Sequence, residues 1–426
     1  MHEDRAHSPR VMLLMSPSTY RAGAFLKAAA DVGVEVVSVT DMPELLREYW
    51  HQDLAVSFAN IEQAFPDVVR LARERAVDAV LSVDDAATEL AALGARELGF
   101  VHNSPDAAAA ARDKLIMRNM LANAGVRSPW FGVHPVSGDP RTIAETLEYP
   151  CVVKPIRLSG SRGVIRADDT DSFVAAFTRT AAIALDEVTD GSDPQILIEE
   201  YLPGDEVAVE GLLTDGDLHI LAIFDKPDPL IGPYFEETIY VTPSGHAPEI
   251  LAAIARETAD AAAALGLRHG PIHAELRIND RGVWLIEVAG RSIGGLCSTI
   301  LSFGAGMSLE EIILRHAVGM AIPSFDRTGN AVGVMMIPIP AKGLLREVDG
   351  IDAARAVVGI TGIEITAPVN YPIVPLPEGS SYLGFIFARG ESPSAVEATL
   401  RESHRQLRIQ IDPIVSIASP TPVVAR

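Results

Sequence analysis

From Arg10 to Asn103 the chain alternates between two hydrophobic rhythms. "RVMLLM" and "VEVVSVT" are short apolar runs of the kind that form buried strands. The stretch from about Arg21 to Val32 and the segment "AATELAALGAREL" read instead as helices. "AVDAVLSVDD" is a further strand, and it ends in acids. A strand–helix–strand rhythm of this kind predicts a parallel, doubly wound sheet. It contains no GxGxxG, so no dinucleotide site is expected there. Asp84 and Asp85 are expected to cap the helix that follows, with ligand contact at the strand end as the alternative.

Downstream, Ser104 and Pro105 form a cap and first-turn pair. A helix from Lys114 to Ala124 places Ile116, Met120 and Ala124 on one face and stops at Gly125. Strands and loops surround Lys154 between about Ser128 and Pro203, with a polar insertion, "DEVTDGSDPQ", expected to be exposed. Residues 196–224 read as strands with a turn at "TDGD". The helix "EILAAIARETADAAAALG" precedes two strands, "GPIHAELRI" and "GVWLIEVAG", joined by the turn "NDRG". From about Ala331 the chain is strand-rich with a helix at "SPSAVEATLRESHRQL", which predicts a separate α+β lobe. Repeats of solenoid length and low-complexity tracts are absent.

Composition narrows the class. A chain of 426 residues implies two to four domains. With 35 basic against 57 acidic residues the net charge is −22, which argues against nucleic acid or an anionic membrane as partner. The 2 cysteines, Cys151 and Cys297, exclude a disulfide framework or a cysteine zinc site. Cys151 is expected in the core and Cys297 in packing. "MHEDRAHSPRVMLLMSPSTY" lacks the apolar core and cleavage site of a signal peptide. No apolar stretch approaches the roughly 18 residues of a membrane span. A cytoplasmic location is the expectation.

Three stretches carry candidate chemistry. In "PCVVKPIRLSGSRGV", Lys154 ends an apolar strand, where a bare ammonium is costly unless an anion meets it. The loop Ser159-Gly160-Ser161-Arg162-Gly163 offers amides, hydroxyls and a guanidinium, all suited to phosphate. An ordinary strand end with a flexible hairpin is the alternative. In "ILIEEYLPGDEVAVEG", Glu199 and Glu206 can face one cleft across the turn at Pro203-Gly204. Backbone at Glu200, Tyr201 and Leu202 could meet an adenine, and Glu206 suits a ribose; a solvated acidic hairpin is the alternative. In "IHAELRINDRGVWLIEVAGRSIGG", Glu275 and Glu287 each interrupt a strand fit for burial. A hairpin at "NDRG" would put them on adjacent strands, where two carboxylates repel unless a cation joins them. Mg²⁺ suits such a pair, with an exposed sheet edge as the alternative. Gly294-Gly295 leaves room for close backbone approach. Glu236 and Glu237 suit a cationic or amino group, or simply a solvated loop.

From roughly Arg10 to Met320 these motifs, in this order, resemble the ATP-grasp superfamily. Within it the chain looks most like the L-amino acid ligases (the bacilysin synthetase-like carboxylate–amine ligases). "DKPDPLIGPYFEETIYVTPS" is similar to their substrate-side loop, and "NYPIVPLPEGSSYLGFIFARGESPSAVEATL" resembles their terminal domain. The resemblance implies an α/β and α+β multidomain chain, an ATP-grasp fold between an N-terminal doubly wound α/β domain and a C-terminal α+β lobe. The expected divisions are 1–112, a lid subdomain with flanking helices over 113–205, a metal-site subdomain over 206–325, and the lobe over 326–426. By position, Lys114 and Lys154 would hold the α- and β-phosphates of ATP, with Ser161 and its loop over them. Glu206 would bind ribose, Glu275 and Glu287 would coordinate Mg²⁺ (Mn²⁺ as the alternative), and Arg291 would stabilise an acyl phosphate and a tetrahedral intermediate. Glu237, His273, Gly294 and Gly295 are the substrate-side candidates. The family usually has Asn two residues after the second metal carboxylate, and here Ala289 stands there, which leaves the number of magnesium ions open.

The implied reaction joins a small-molecule carboxylate, expected to be an amino acid, to an amine through an acyl phosphate, in a homodimer. Phosphoryl transfer asks for positioning and charge neutralisation, which this Lys, Arg and carboxylate set can supply. A carboxylase of the biotin carboxylase or aminoimidazole ribonucleotide type, or an ATP-binding regulator without turnover, are the alternatives.

Overall fold

A computed structural model of the protein describes residues 8–188 and 192–414. Residues 1–7 of the N-terminal stretch, and 189–191 of the polar insertion, lie outside the described residues. The flanks of that insertion, Glu187 and Asp193, are exposed as expected.

The opening rhythm resolves into β1 (Arg10–Met15), α1 (Ala22–Val32), β2 (Glu35–Asp41), β3 (Leu54–Val56), α2 (Ile61–Glu74), β4 (Ala79–Ser82) and α3 (Thr88–Leu98). The strands pair in parallel in the order β3–β2–β1–β4. Alternate residues of β1 serve two cores: Val11 and Leu13 face one side, Met12 and Leu14 the other. That is why the strand reads as an unbroken apolar run.

Next come α4 (Pro105–Arg112) and α5 (Lys114–Ala124). The Ser104 hydroxyl caps α4 by accepting the Ala107 amide, and α5 ends at Gly125 with φ 72°. The Ile116 face of α5 is not the buried one. Ile116 is 40% exposed, while Lys114, Met117, Arg118 and Leu121 point inward. Two cations occupy the inner face because carboxylates wait for them, the buried Glu199 for Arg118 and the more open Glu287 for Lys114, a pairing that hydrophobic periodicity cannot register.

β5 (Phe131–Pro135), α6 (Pro140–Ala144), β6 (Cys151–Pro155), β7 (Ile165–Ala167), α7 (Thr170–Asp186) and β8 (Gln195–Glu200) form a small subdomain. Its antiparallel sheet has the order β5–β8–β6–β7 and shares a core with Phe173 and Phe177 of α7. Cys151 lies in that core, and burial pushes its thiol up to about 12.

The remainder comprises β9 (Asp205–Thr214), β10 (Asp217–Lys226), β11 (Ile239–Thr242), α8 (Pro248–Ala264), β12 (Gly270–Asn279), β13 (Gly282–Ala289), α9 (Leu309–Ala317), β14 (Ala331–Ile337), β15 (Gly343–Asp349), α10 (Ile351–Arg355), β16 (Ile360–Ile365), β17 (Pro372–Ile373), β18 (Gly384–Gly390), α11 (Pro393–Arg405) and β19 (Arg408–Asp412). An 8-stranded sheet runs β13–β12–β9–β10–β11–β14–β18–β16. The terminal segment has a small sheet of its own and also extends the large sheet. β14 pairs antiparallel with β11, so one sheet continues across the division expected near residue 326. The backbone edge of β11 needs partners, and β14 supplies them. Only β17, β15 and β19 form a separate small sheet. Among the described residues no helix is long and apolar enough to cross a membrane.

Candidate active site

A cavity of about 420 Å³ lies where the small subdomain, the large sheet and the ends of β1 and β4 meet. Of the site residues singled out in the sequence, all but Arg162, Gly163 and Glu236 line it. Gly163 stands behind the loop, its amide donated to Pro377 and its φ at 72°. A side chain there would meet the Pro155 ring at 2.9 Å, so glycine is required by space as well as by conformation.

Lys154 sits at the end of β6, 7% exposed, and its ammonium meets Glu199 Oε2 at 2.6 Å. The anion demanded by this buried lysine is thus already present in the protein. Glu199 itself is 1% exposed, and Arg118 of α5 donates Nε–H to its other oxygen at 2.6 Å. Burial alone would raise the Glu199 pKa, but Arg118 and Lys154 hold it down to about 2. Both carboxylate oxygens are taken, so Glu199 supports Lys154 rather than reaching a ligand. Arg118 also donates to the Ile286 carbonyl, beside Glu287, at 2.5 Å.

Lys114, at the start of α5, donates to the Leu158 carbonyl at 2.7 Å and lies 3.3 Å from Glu287. Ser159, Gly160 and Ser161 follow Leu158 and line the same space. Ser161 holds φ 55°, an uncommon conformation for a side-chain-bearing residue and a mark of functional loops. Arg162 does not point at this space. It pairs with Glu187 and donates Nε–H to the Glu378 carbonyl, so the guanidinium expected for phosphate braces the loop from outside.

The Glu275–Glu287 expectation meets its geometry directly. β12 and β13 pair with Glu275 opposite Glu287, at a register shift just after Glu275. Glu206 is less free than the sequence suggested. It pairs with Lys226 at 2.8 Å and Arg277 at 2.7 Å, and it is 8% exposed. Arg277 also takes the Leu202 carbonyl at 2.6 Å, and the Tyr201 amide is donated to Pro150. Those two groups are therefore taken, which leaves the other backbone groups of this stretch to meet an adenine edge.

Glu237 does not wait for a cationic ligand either: Lys226 pairs with it, and the Tyr240 hydroxyl donates to it at 2.7 Å. His273 meets Glu210 at 2.5 Å and Glu275 at 3.5 Å. Burial would depress its pKa, but the two carboxylates lift it to about 9, so the ring stays an imidazolium at neutral pH. Arg291 pairs with Asp85 at 2.7 Å. Asp84 accepts from the Ser16 amide at 2.9 Å and the Thr19 hydroxyl at 2.7 Å. Neither aspartate caps a helix as expected, because each has a better partner across the cavity mouth. Burial pushes the Cys297 thiol upward, and its packing against Met336 agrees with a packing residue.

Sequence reading missed Lys226, Glu210, Arg118 and Arg277. A signal for the first existed: "FDKP" ends an apolar strand with lysine before proline, just as "VVKP" does. Glu210 likewise interrupts the apolar run "VAVEGLL", the same anomaly that singled out Glu275.

Residues 147–300 match the family model described as ATP-grasp domain, and residues 335–412 match that of the L-amino acid ligase C-terminal domain 2. The chain is similar to alanine–anticapsin ligase of Bacillus subtilis (strain 168), 27% identical over 304 residues, covering 66% of this chain and 63% of that one. It is 29% identical to dapdiamide A synthase of Enterobacter agglomerans over 250 residues, 57% of this chain and 58% of that one. The chain thus spans less than two thirds of the length of both these curated relatives. The crystal structure of an L-amino acid ligase from Bacillus licheniformis superposes with a TM-score of 0.77 at 24% identity, covering 96% of this chain and all of that one. The mixed α/β multidomain architecture is therefore that of the ATP-grasp fold.

Proposed function

We propose that this chain, which combines an ATP-grasp domain with an L-amino acid ligase C-terminal domain, is an ATP-dependent carboxylate–amine ligase. One observation carries the reading: Glu275 faces Glu287 across a strand pair in the cavity that also gathers Lys114, Lys154 and Arg291. The relatives' names, alanine–anticapsin ligase and dapdiamide A synthase, support amino acids as the class of substrate.

The residues fit both a nucleotide and a magnesium ion. Lys114 and Lys154 are anchored ammonium groups beside the Ser159–Ser161 loop, suited to phosphate oxygens. Glu275 and Glu287 have side chains 23% and 34% exposed, more open than Glu199, Glu206 or Glu210, and would hold the metal. A bound magnesium would neutralise charge on the phosphates during transfer. Arg291, kept in place by Asp85, would face the negative charge that develops on the activated carboxyl group. In the reaction, a donor carboxylate oxygen attacks the γ-phosphorus and ADP leaves. An amine then attacks the carbonyl carbon and phosphate departs with the former carboxylate oxygen. A homodimeric assembly and a cytoplasmic location belong to the same proposal, the first checked by light scattering.

Trapping with hydroxylamine tests the reading. With ATP, magnesium and a panel of amino acids, a hydroxamate of the donor is expected, together with ADP and phosphate. Release of AMP and pyrophosphate, or strict dependence on bicarbonate, would overturn it.

A further inference from the structure

Arg291 stands on irregular backbone. β13 ends at Ala289, so no ladder of sheet hydrogen bonds fixes the stretch from Gly290 to Gly295. Backbone of this kind takes its partners from elsewhere, and here two of them are buried charges. Glu210 of β9, 0% exposed, accepts the Ile293 amide at 3.0 Å. Arg21, the residue before α1, donates through Nη1 to the Ser292 hydroxyl at 2.7 Å and to the Ser292 carbonyl at 3.3 Å. The same carbonyl accepts Nη1–H of Arg291 at 3.0 Å. Asp85 holds Nη2, so the Ser292 carbonyl completes the grip on the Arg291 guanidinium.

Arg21 is held in its turn. Its Nη2 meets Glu310 Oε1 at 3.0 Å, and that oxygen also accepts the Ser298 hydroxyl at 2.7 Å. All four residues, Arg21, Ser292, Ser298 and Glu310, are buried. A buried ion pair is a poor source of stability, because desolvating two charges offsets most of their attraction. The position of Arg21 makes it poorer still. It occupies the N-cap of α1, where the helix dipole favours an anion, and its side chain caps nothing. Its Nε is buried without a partner. Nor is Arg21 a free cation for a ligand: it borders the cavity, but both Nη groups are engaged inside the protein. A residue that breaks local rules in this way has its gain elsewhere, and here the gain lies in what Arg21 holds.

We infer that Arg21 and Glu310 are positioning residues for the proposed ligation, which aim the Arg291 guanidinium through the Ser292 carbonyl. The inference rests on the ligase reading for what Arg291 does, and adds the chain of contacts that fixes its direction. Glu310, in the first turn of α9, anchors the chain; Arg21 carries it across from the N-terminal sheet domain; Ser292 delivers it to Arg291. Both Arg21 and Glu310 lie outside the residues matched by either family model.

The test exchanges the buried pair for apolar side chains of similar length. Arg21→Met combined with Glu310→Met removes both charges at once, a replacement that often leaves stability unchanged or improved. Its unfolding midpoint in guanidinium chloride should match the parent's. With ATP, magnesium and the amino acids the parent accepts, kcat for hydroxamate formation should nonetheless fall about 10- to 100-fold, with KM for ATP unchanged. Arg21→Lys serves as the second variant if the double variant does not fold. It keeps a charge for Glu310 but lacks the fork that reaches Ser292 as well, so the same fall in kcat is expected. Coupling supplies a further arm: in an Arg291→Lys background the Arg21→Met and Glu310→Met pair should lower kcat no further, because the group it aims is gone. A folded double variant with parental kcat would overturn the inference, as would losses that multiply in the Arg291→Lys background. A raised KM for an amino acid at unchanged kcat would also overturn it and make Arg21 a substrate contact. Parental turnover by Arg291→Lys alone would remove the inference and leave the ligase standing. Absence of any amino-acid-dependent ADP release from the parent would remove the ligase reading, and this inference with it.

Discussion

Replacing Glu199 with Gln removes the one carboxylate that joins Arg118 to Lys154. The three side chains are almost wholly buried, at 2%, 2% and 9% exposure for Arg118, Glu199 and Lys154, so solvent screening offers little relief. Two cations would then share a buried site without the carboxylate that joins them. In the folded protein Glu199 ionises at about 2 rather than at the ordinary 4.5. That depression corresponds to roughly 3 kcal/mol of stability at neutral pH, within the range expected when one partner of a buried pair is lost. The sign follows from the direction. A depressed carboxylate contributes fully above its unfolded value near 4.5 and loses that contribution as pH falls toward about 2. Guanidinium unfolding of both proteins between pH 3.5 and 7 should therefore show a constant deficit of about 3 kcal/mol down to about pH 4.5, narrowing below it. A nucleotide adds a second arm. If Lys154 meets phosphate, a non-hydrolysable ATP analogue with magnesium supplies the missing anion, and stabilises the variant more than the parent. A variant as stable as the parent would refute the bridging role of Glu199. An analogue that stabilises both proteins equally would refute the phosphate contact at Lys154.

Lys226→Met should create a cation site, since ligand atoms of Glu206, Glu237 and Glu275 lie within 4.8 Å of one another around the lost ammonium. Manganese binding without nucleotide, followed by electron paramagnetic resonance, should tighten in this variant; unchanged affinity would show that the lysine does not hold that cluster. Glu287→Gln should abolish magnesium-dependent turnover with little loss of fold, and persistent activity at ordinary magnesium concentrations would end the metal assignment. Glu378→Ala removes the carboxylate that grips Arg179 with both oxygens, at 2.6 and 2.9 Å, and ties the terminal segment to the small subdomain. Stability should change little, because both partners are 42% exposed, while nucleotide release measured by stopped-flow fluorescence should quicken several-fold; an unchanged rate would show that the tie does not restrain the subdomain.

Much of the architecture was legible because its signals are local. The alternation of β1, α1 and β2 needs only the residues within each element, and the "NDRG" turn sets the β12–β13 register that brings Glu275 opposite Glu287. The continuation of the large sheet through β14 was not legible. Pairing with β11 joins strands some ninety residues apart in the chain, and no local pattern encodes which open edge a strand will find. The site divides along the same line. A lysine or glutamate inside an apolar strand is visible as an anomaly, which is how Lys154, Glu275 and Glu287 were found.

What such an anomaly does not disclose is its counter-ion. Lys154 was read as waiting for a nucleotide, and the fold answers it first with Glu199. Glu237 was read as waiting for an ammonium ligand, and the fold answers it with Lys226. Asp85 passed for a helix cap until Arg291, far along the chain, proved to be its partner. Each case has the same origin: a buried charge must be compensated, and the cheapest compensation is a side chain brought in from a distant element. In this cavity the protein neutralises its own charges before any ligand arrives. Lys154, Lys226 and Arg291 are thereby held in fixed positions by Glu199, Glu206 and Asp85. Phosphate and carboxylate groups entering the site would meet cations that need no rearrangement, the arrangement that stabilises developing charge most effectively.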